Sequence, residues 1–133
     1  MDDVQAEINK LTQDYWIDRG MYFDRQGNSM TMIEWAQMFE NSTQAVNLRR
    51  VIATKVRHIW VSTVWLGLNH EWRDGPPLIF ETMMFNRHKR DRNKHSGRFD
   101  FCDRYSTEEQ ARRGHHRVVQ VLKARGIQGL AKL

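Results

Sequence analysis

Residues 50–105 read RVIATKVRHIWVSTVWLGLNHEWRDGPPLIFETMMFNRHKRDRNKHSGRFDFCDRY, and this stretch decides the fold. β-Branched and aromatic residues are concentrated in four parts of it, and such residues favour strands. Glycine, proline and charged residues separate these parts and indicate turns. We therefore predict four strands: Arg50–Arg57, Ile59–Leu66, Leu78–Phe85 and Arg98–Tyr105.

No helical pattern lies between these strands, so consecutive strands are expected to pair as an antiparallel meander. The second strand has apolar residues in both alternating sets. Ile59, Val61 and Trp65 point one way, and Trp60, Val64 and Leu66 point the other. This pattern predicts a central strand that is covered on both faces.

Helical patterns lie on either side of the strands. Val4, Ile8, Leu11 and Tyr15 share one face of a 3.6-residue period, which predicts an amphipathic helix ending near Gly20. Thr31 with Glu34 is typical of a capping box and predicts a helix over 31–40, closed near Asn41 and Ser42. Ser106 with Glu109 predicts another, over 107–124. The fold class is therefore α+β, a four-stranded antiparallel meander packed with two to three helices.

The chain has 133 residues, which suits one domain with a core of its own. We divide it into an N-terminal amphipathic helix (1–20), a single α+β domain (21–125) and a C-terminal tail (126–133). The one cysteine, Cys102, excludes an internal disulfide and favours a reducing compartment. No stretch is long and apolar enough to suggest a membrane span, and the N-terminus does not resemble a secretory signal.

The positive charge is concentrated in one predicted loop. Residues 86–97 carry five Lys/Arg and one Asp, which is +4 of the net +5. A long loop in a small domain is often functional, and this one would attract an acidic partner. The candidate binding residues are Arg87, Lys89, Arg90, Arg92, Lys94 and Arg98, with Trp72 as an aromatic contact near the Gly-Pro-Pro turn. The alternative is a solvated hairpin tip that discourages aggregation of the sheet edges.

Catalytic and metal chemistry has a weaker basis in the sequence. His70, Glu81 and His115 are of the types that bind metals or transfer protons, but their spacing matches no metal-binding motif. His115 shares a helical stripe with apolar residues, so we expect it to be buried and hydrogen bonded. Glu81 lies in an apolar strand, and we expect a structural ion pair there, with Arg50 or Lys55 as the cation. Cys102 is interpreted as a small core residue. No cofactor or metal site is predicted.

The chain resembles a family of small uncharacterised proteins encoded by bacteriophages and prophages. The resemblance covers about Tyr22 to Leu122. It rests on YFDRQGN (22–28), EWA (34–36), VSTVWLGLNH (61–70), GPPLIFETM (75–83), RYSTEE (104–109) and GH (114–115). The N-terminal helix and the basic loop depart from the family pattern. The resemblance implies a phage setting and supplies no reaction, cofactor or partner.

The function expected from these observations is that of a non-enzymatic phage accessory protein, located in the host cytoplasm, that binds a host, defence-system or phage protein. A virion-associated role belongs to the same class. The alternative is a nucleic-acid-binding protein that uses loop 86–98, and a metal-dependent hydrolase is third. We expect no membrane partner, and the N-terminal helix is a candidate surface for homo-oligomerisation.

Overall fold

The computed structural model describes residues 3–8, 21–40, 42–71, 74–86 and 98–132. In chain order the elements are α1 (3–8), β1 (Tyr22–Phe23), β2 (Ser29–Met30), α2 (Met32–Gln37), α3 (Ser42–Arg49), β3 (Arg50–Val56), β4 (Ile59–Trp65), β5 (Phe80–Asn86), β6 (Arg98–Tyr105), α4 (Glu108–Arg125) and a 3-10 helix, η1 (Ile127–Lys132). None of the helices within these residues is long and apolar enough to cross a membrane.

The main sheet is the predicted meander. Its strand order is β3-β4-β5-β6, and every neighbouring pair is antiparallel. The predicted strand bounds differ from the observed ones by at most two residues. The α+β fold class is confirmed, and β6 lies at one end of the sheet.

Strand β4 is interior, as predicted, but only one of its faces is fully covered. Ile59, Val61, Thr63 and Trp65 are buried, whereas the residues between them are half-buried. The buried face is the one on which α4 packs. Trp60 and Val64 made the other face look like core in the sequence, but they lie on a face that is only half-buried.

The long helix α4 crosses the buried face of the sheet. Its stripe of Val118, Val119 and Leu122 packs against Val61 of β4 and Met84 of β5. Its N-terminal capping box is one residue later than we predicted, because Thr107 and Gln110 form it rather than Ser106 and Glu109. Both pairs satisfy the motif, so the sequence alone did not separate them.

The C-terminal tail of the predicted division folds back onto the core. Gly126 has φ +67°, a conformation that glycine adopts readily, and α4 ends there before the chain turns back. Residues Ile127–Lys132 then form η1, and Leu130, 7% exposed, joins the core beside Leu122.

A second apolar cluster lies at the other end of the sheet. Trp65, Ile79, Phe80 and Ala111 are buried there, and the β1–β2 hairpin and α2 pack onto them. Trp35 of α2 donates its indole N–H to the Leu66 carbonyl at 3.1 Å. Gly67 (φ +75°) allows this close approach, since a Cβ at Gly67 would overlap the Trp35 ring.

The first part of the chain differs from the prediction in its helices. The helix expected over 31–40 spans Met32–Gln37, with the predicted Thr31–Glu34 capping box, and a further helix, α3, follows it. Nothing in the sequence predicts α3, because its residues show no apolar stripe, and Val46 is exposed. Helix α1 exposes Val4 (65%) and Ile8 (45%), and the rest of the predicted N-terminal helix lies outside the described residues.

Candidate functional site

A groove of about 500 Å³ runs between β6 and α4. One wall consists of five consecutive residues of β6, Phe101 to Tyr105, and the other is a single stripe of α4. Consecutive strand residues point to opposite faces of a sheet, so a groove that touches all five opens on the edge of the strand. The α4 stripe consists of Gln110, Arg113, Gly114, Arg117 and Val118.

The charges of the groove are mostly positive. Three arginines and one acid, Asp103, line it. Arg104 is already paired, with its Nε 3.0 Å from Glu81 Oε2. Arg113 and Arg117 are exposed, and the ion pair of Arg113 with Glu109 is long, at 3.9 Å. The groove therefore presents at least two weakly engaged cations to solvent.

Tyr105 and Gly114 form the floor where strand and helix approach each other. A Cβ at Gly114 would overlap the Tyr105 ring and hydroxyl, so only glycine allows this contact. The Tyr105 hydroxyl is buried, and no hydrogen bond of good geometry reaches it among the described residues. Burial raises the pKa of Tyr105, and Thr82 and Asp103 lie near enough to act on it as well.

His115 lies beside this floor, in a buried polar layer between the two apolar clusters. Its Nε2 is 2.7 Å from Thr54 Oγ1 and its Nδ1 is 2.7 Å from Thr63 Oγ1, and Thr63 Oγ1 is 2.6 Å from Thr82 Oγ1. Burial lowers the pKa of His115 to about 4, and the charges of His116 and Arg112 act in the same direction. The predicted burial and hydrogen bonding of His115 are confirmed.

Glu81 lies on the opposite face of the sheet from His115. Thr82 points into the α4 face, and successive strand residues alternate, so Glu81 points away from it. Glu81 is 8% exposed and pairs with Arg104 across the β5–β6 ladder. The prediction of a buried ion pair is correct, but Arg50 and Lys55 are the wrong cations because β3 is two strands away from β5.

His70 is electrostatically coupled to the Glu81 pair and not to His115. Burial and the charge of Arg104 lower the pKa of His70, and Glu81 partly offsets them. His70, Glu81 and His115 therefore do not converge on one site. Within the described ranges, no group of three His, Cys, Asp or Glu side chains is placed to hold a metal ion.

Comparison with protein-family models, with curated proteins and with solved structures finds no match to this chain. The resemblance to phage proteins stays a prediction.

Most of the predicted binding residues lie outside the described part of the chain. These are Trp72, Arg87, Lys89, Arg90, Arg92 and Lys94. Arg98 begins β6 and pairs with Phe85 of β5. The segment 87–97 thus joins the paired ends of two adjacent strands, and β6 continues from it into the groove.

The cations of the groove are not among the predicted binding residues. Arg113 and Arg117 recur at i and i+4 on α4, which marks one helix face. The predicted meander order already makes its fourth strand an edge strand. The two signals together indicate a basic helix face beside an edge strand. The interpretation of Cys102 as a core residue is wrong, because Cys102 lies exposed on β6, the edge strand.

Proposed function

We propose that the chain is a phage-encoded accessory protein without catalytic activity, which acts in the host cytoplasm by binding an acidic host or phage protein. The groove between β6 and α4 is its binding surface. The observation that carries the proposal is the groove itself, about 500 Å³ in volume, with three arginines and a single acid in its lining.

The charge of the groove favours an acidic partner. Complementary charge steers association and selects partners more than it adds raw affinity. Arg113 and Arg117 are exposed and one helical turn apart, so their guanidinium groups are accessible to a carboxylate. The phage setting and the cytoplasm come from the sequence resemblance and the single cysteine.

The non-catalytic part of the proposal is supported by the placement of the candidate catalytic residues. His115 is enclosed by threonine hydroxyls on one face of the sheet, whereas Glu81 is paired with Arg104 on the other. A reaction that needs both side chains has no common space for its substrate.

The proposal is tested by affinity capture from bacterial lysate with and without nuclease. The wild-type chain is compared with Arg113→Ser/Arg117→Ser and with Lys123→Ser/Arg125→Ser, which removes the same charge from exposed positions of α4 outside the groove lining. We expect a captured partner protein whose recovery does not change on nuclease treatment. The wild type and the control should retain this partner, and the groove variant should lose it. Equal retention by all three proteins would contradict the proposal.

Binding of nucleic acid through loop 86–98 is the second candidate function. The observation that favours it is the +4 charge of residues 86–97 in the sequence. Phosphate-backbone contacts with lysine and arginine supply most non-specific nucleic-acid affinity. In the capture experiment this function predicts partners that disappear after nuclease treatment and are unaffected by the groove variant.

A further inference from the structure

The outer surface of α4 carries positive charge without compensating acids over most of its length. From Arg112 to Arg125 the helix has five Lys/Arg and no Asp or Glu. All five of these cations are exposed, whereas the stripe that packs on the sheet is buried. Helix α4 therefore presents a basic surface that begins after its first turn.

Ion pairs neutralise only the start of this surface. Its first two arginines pair with glutamates one helical turn earlier, at 3.2 and 3.9 Å. The other three cations, Arg117, Lys123 and Arg125, take part in no ion pair within the described residues. Lys123 and Arg125 also stabilise the negative end of the helix dipole, whereas Arg117 lies outside the last turn. Three exposed charges are therefore left for a ligand to neutralise.

This charge pattern differs from that of an ordinary solvated helix face. Solvated faces alternate charges of opposite sign, and like charges at i and i+4 destabilise a helix. Arg113 and Arg117 stand at i and i+4, with no acid after them on the helix. Natural proteins break local rules of this kind mainly at functional sites. The pattern therefore indicates an anionic ligand for the outer surface of α4.

The arrangement of the unpaired cations suits a nucleic-acid duplex better than a peptide. A helix turns about 100° per residue, so Lys123 and Arg125 lie about 160° apart, on opposite flanks of the exposed surface. Arg117 and Gln120 are exposed between them, on the ridge that faces away from the sheet. The major groove of DNA is about 12 Å wide, lies between two phosphate backbones and admits one α-helix. A single acidic peptide beside α4 would contact only one flank.

We propose that α4 binds duplex DNA, with its exposed ridge in the major groove. Lys123 and Arg125 contact phosphates on the two sides of the groove. Arg117 and Gln120 face the base edges, where arginine recognises guanine and glutamine recognises adenine. This site goes beyond the proposed function and is separate from loop 86–98, although it shares Arg117 with the groove. The capture experiment compares partners after nuclease treatment, so DNA bound at Lys123 and Arg125 does not affect it.

The first test is a fluorescence-anisotropy titration of labelled duplex DNA at several salt concentrations. Lys123→Gln/Arg125→Gln should reduce the slope of log affinity against log salt by roughly 1.8, the share of two phosphate contacts. Glutamine is a good helix former, so the helix should persist, and thermal denaturation checks this. The control, Arg50→Gln/Arg57→Gln, removes the same charge from exposed positions outside α4 and should leave the slope nearly unchanged. An equal loss in both variants, or no loss in either, would overturn the inference.

The second test determines which groove of the duplex is occupied. Guanine N7 lies in the major groove, so saturating protein should protect it from methylation by dimethyl sulfate, and Arg117→Gln should weaken this protection. Duplex RNA should bind more weakly than duplex DNA, because its major groove is too narrow for a helix. Unprotected N7, or equal binding of the two duplexes, would overturn the inference. Capture of a nuclease-resistant protein through the groove without any binding of DNA would leave the proposed function standing and remove this inference alone.

Discussion

His115 is enclosed completely by protein, and both of its ring nitrogens meet threonine hydroxyls. A neutral imidazole has one donor and one acceptor nitrogen, and hydroxyls of Thr54 and Thr63 can serve either. The buried ring therefore remains neutral at little cost, whereas a charged ring would lose hydration without gaining an acidic partner. This explains the pKa near 4.

The lowered pKa makes stability depend on pH. In the unfolded chain, His115 takes up a proton near pH 6.5. In the folded protein it does so only at about pH 4. Its contribution is therefore complete above pH 6.5 and is lost as pH falls towards 4, with a size on the order of 3 kcal/mol. We expect His115→Gln to flatten the fall in the free energy of unfolding between about pH 7 and pH 4, measured by urea denaturation. An unaltered pH profile in His115→Gln would contradict the assignment.

For Tyr105, we predict that removal of a buried polar group raises the free energy of unfolding. A buried hydroxyl without a hydrogen bond costs about 1–3 kcal/mol, so its removal relieves the folded state. We expect Tyr105→Phe to raise the free energy of unfolding by about 1 kcal/mol, with no such gain for the half-buried Tyr22→Phe. A loss of stability in Tyr105→Phe would show that Thr82 or Asp103 accepts a hydrogen bond from this hydroxyl.

At the scale of elements, the strands and the helices with capping boxes were predictable, whereas α3 and η1 were not. The β-branched and aromatic runs from Arg50 to Tyr105 and the turns between them predict the sheet. Alternation did not identify the buried face of β4, because both faces of that strand are apolar in sequence. Helix α3 has no comparable period, and the burial of Leu130 depends on a reversal at Gly126 that a lone glycine does not specify. The capping boxes predicted the helix starts to within one residue.

The packing of α4 on β6 depends on Gly114. Glycine in a helix interior costs about 1 kcal/mol relative to alanine, so its presence here is explained by the close contact with Tyr105. We expect Gly114→Ala to lower the free energy of unfolding by about 1–3 kcal/mol in spite of its better helix propensity, as overpacking does. The measurement is thermal or urea denaturation. In a Tyr105→Leu background the same change should cost much less or become favourable, because the overlapping ring is gone. Additive effects of the two changes would exclude this contact as the cause.

At the scale of the whole molecule, positive charge occurs in two features that the chain connects. One is the segment 87–97 in the sequence, and the other is the pair Arg113 and Arg117 beside β6. The sequence revealed the first because its cations are contiguous. The second needed the fold, since the wall from Phe101 to Tyr105 and the stripe on α4 come from separate elements. The two features are expected to differ in how strongly the affinity for DNA depends on salt concentration.

Titration with duplex DNA distinguishes segment 87–97 from the pair Arg113 and Arg117 as the binding surface. If the five cations of segment 87–97 all engage phosphates, the slope of log affinity against log salt is roughly −4.5. Changing these five residues to Ser should remove most of that slope and leave the melting temperature near that of wild type, because unpaired lysine and arginine side chains are rarely buried. Arg113→Ser/Arg117→Ser should reduce the slope by at most roughly 1.8, the share of two phosphate contacts. The measurement is a fluorescence-anisotropy titration of labelled duplex at several salt concentrations. Absence of binding at low salt would exclude nucleic acid as the partner and leave an acidic protein as the partner that we propose.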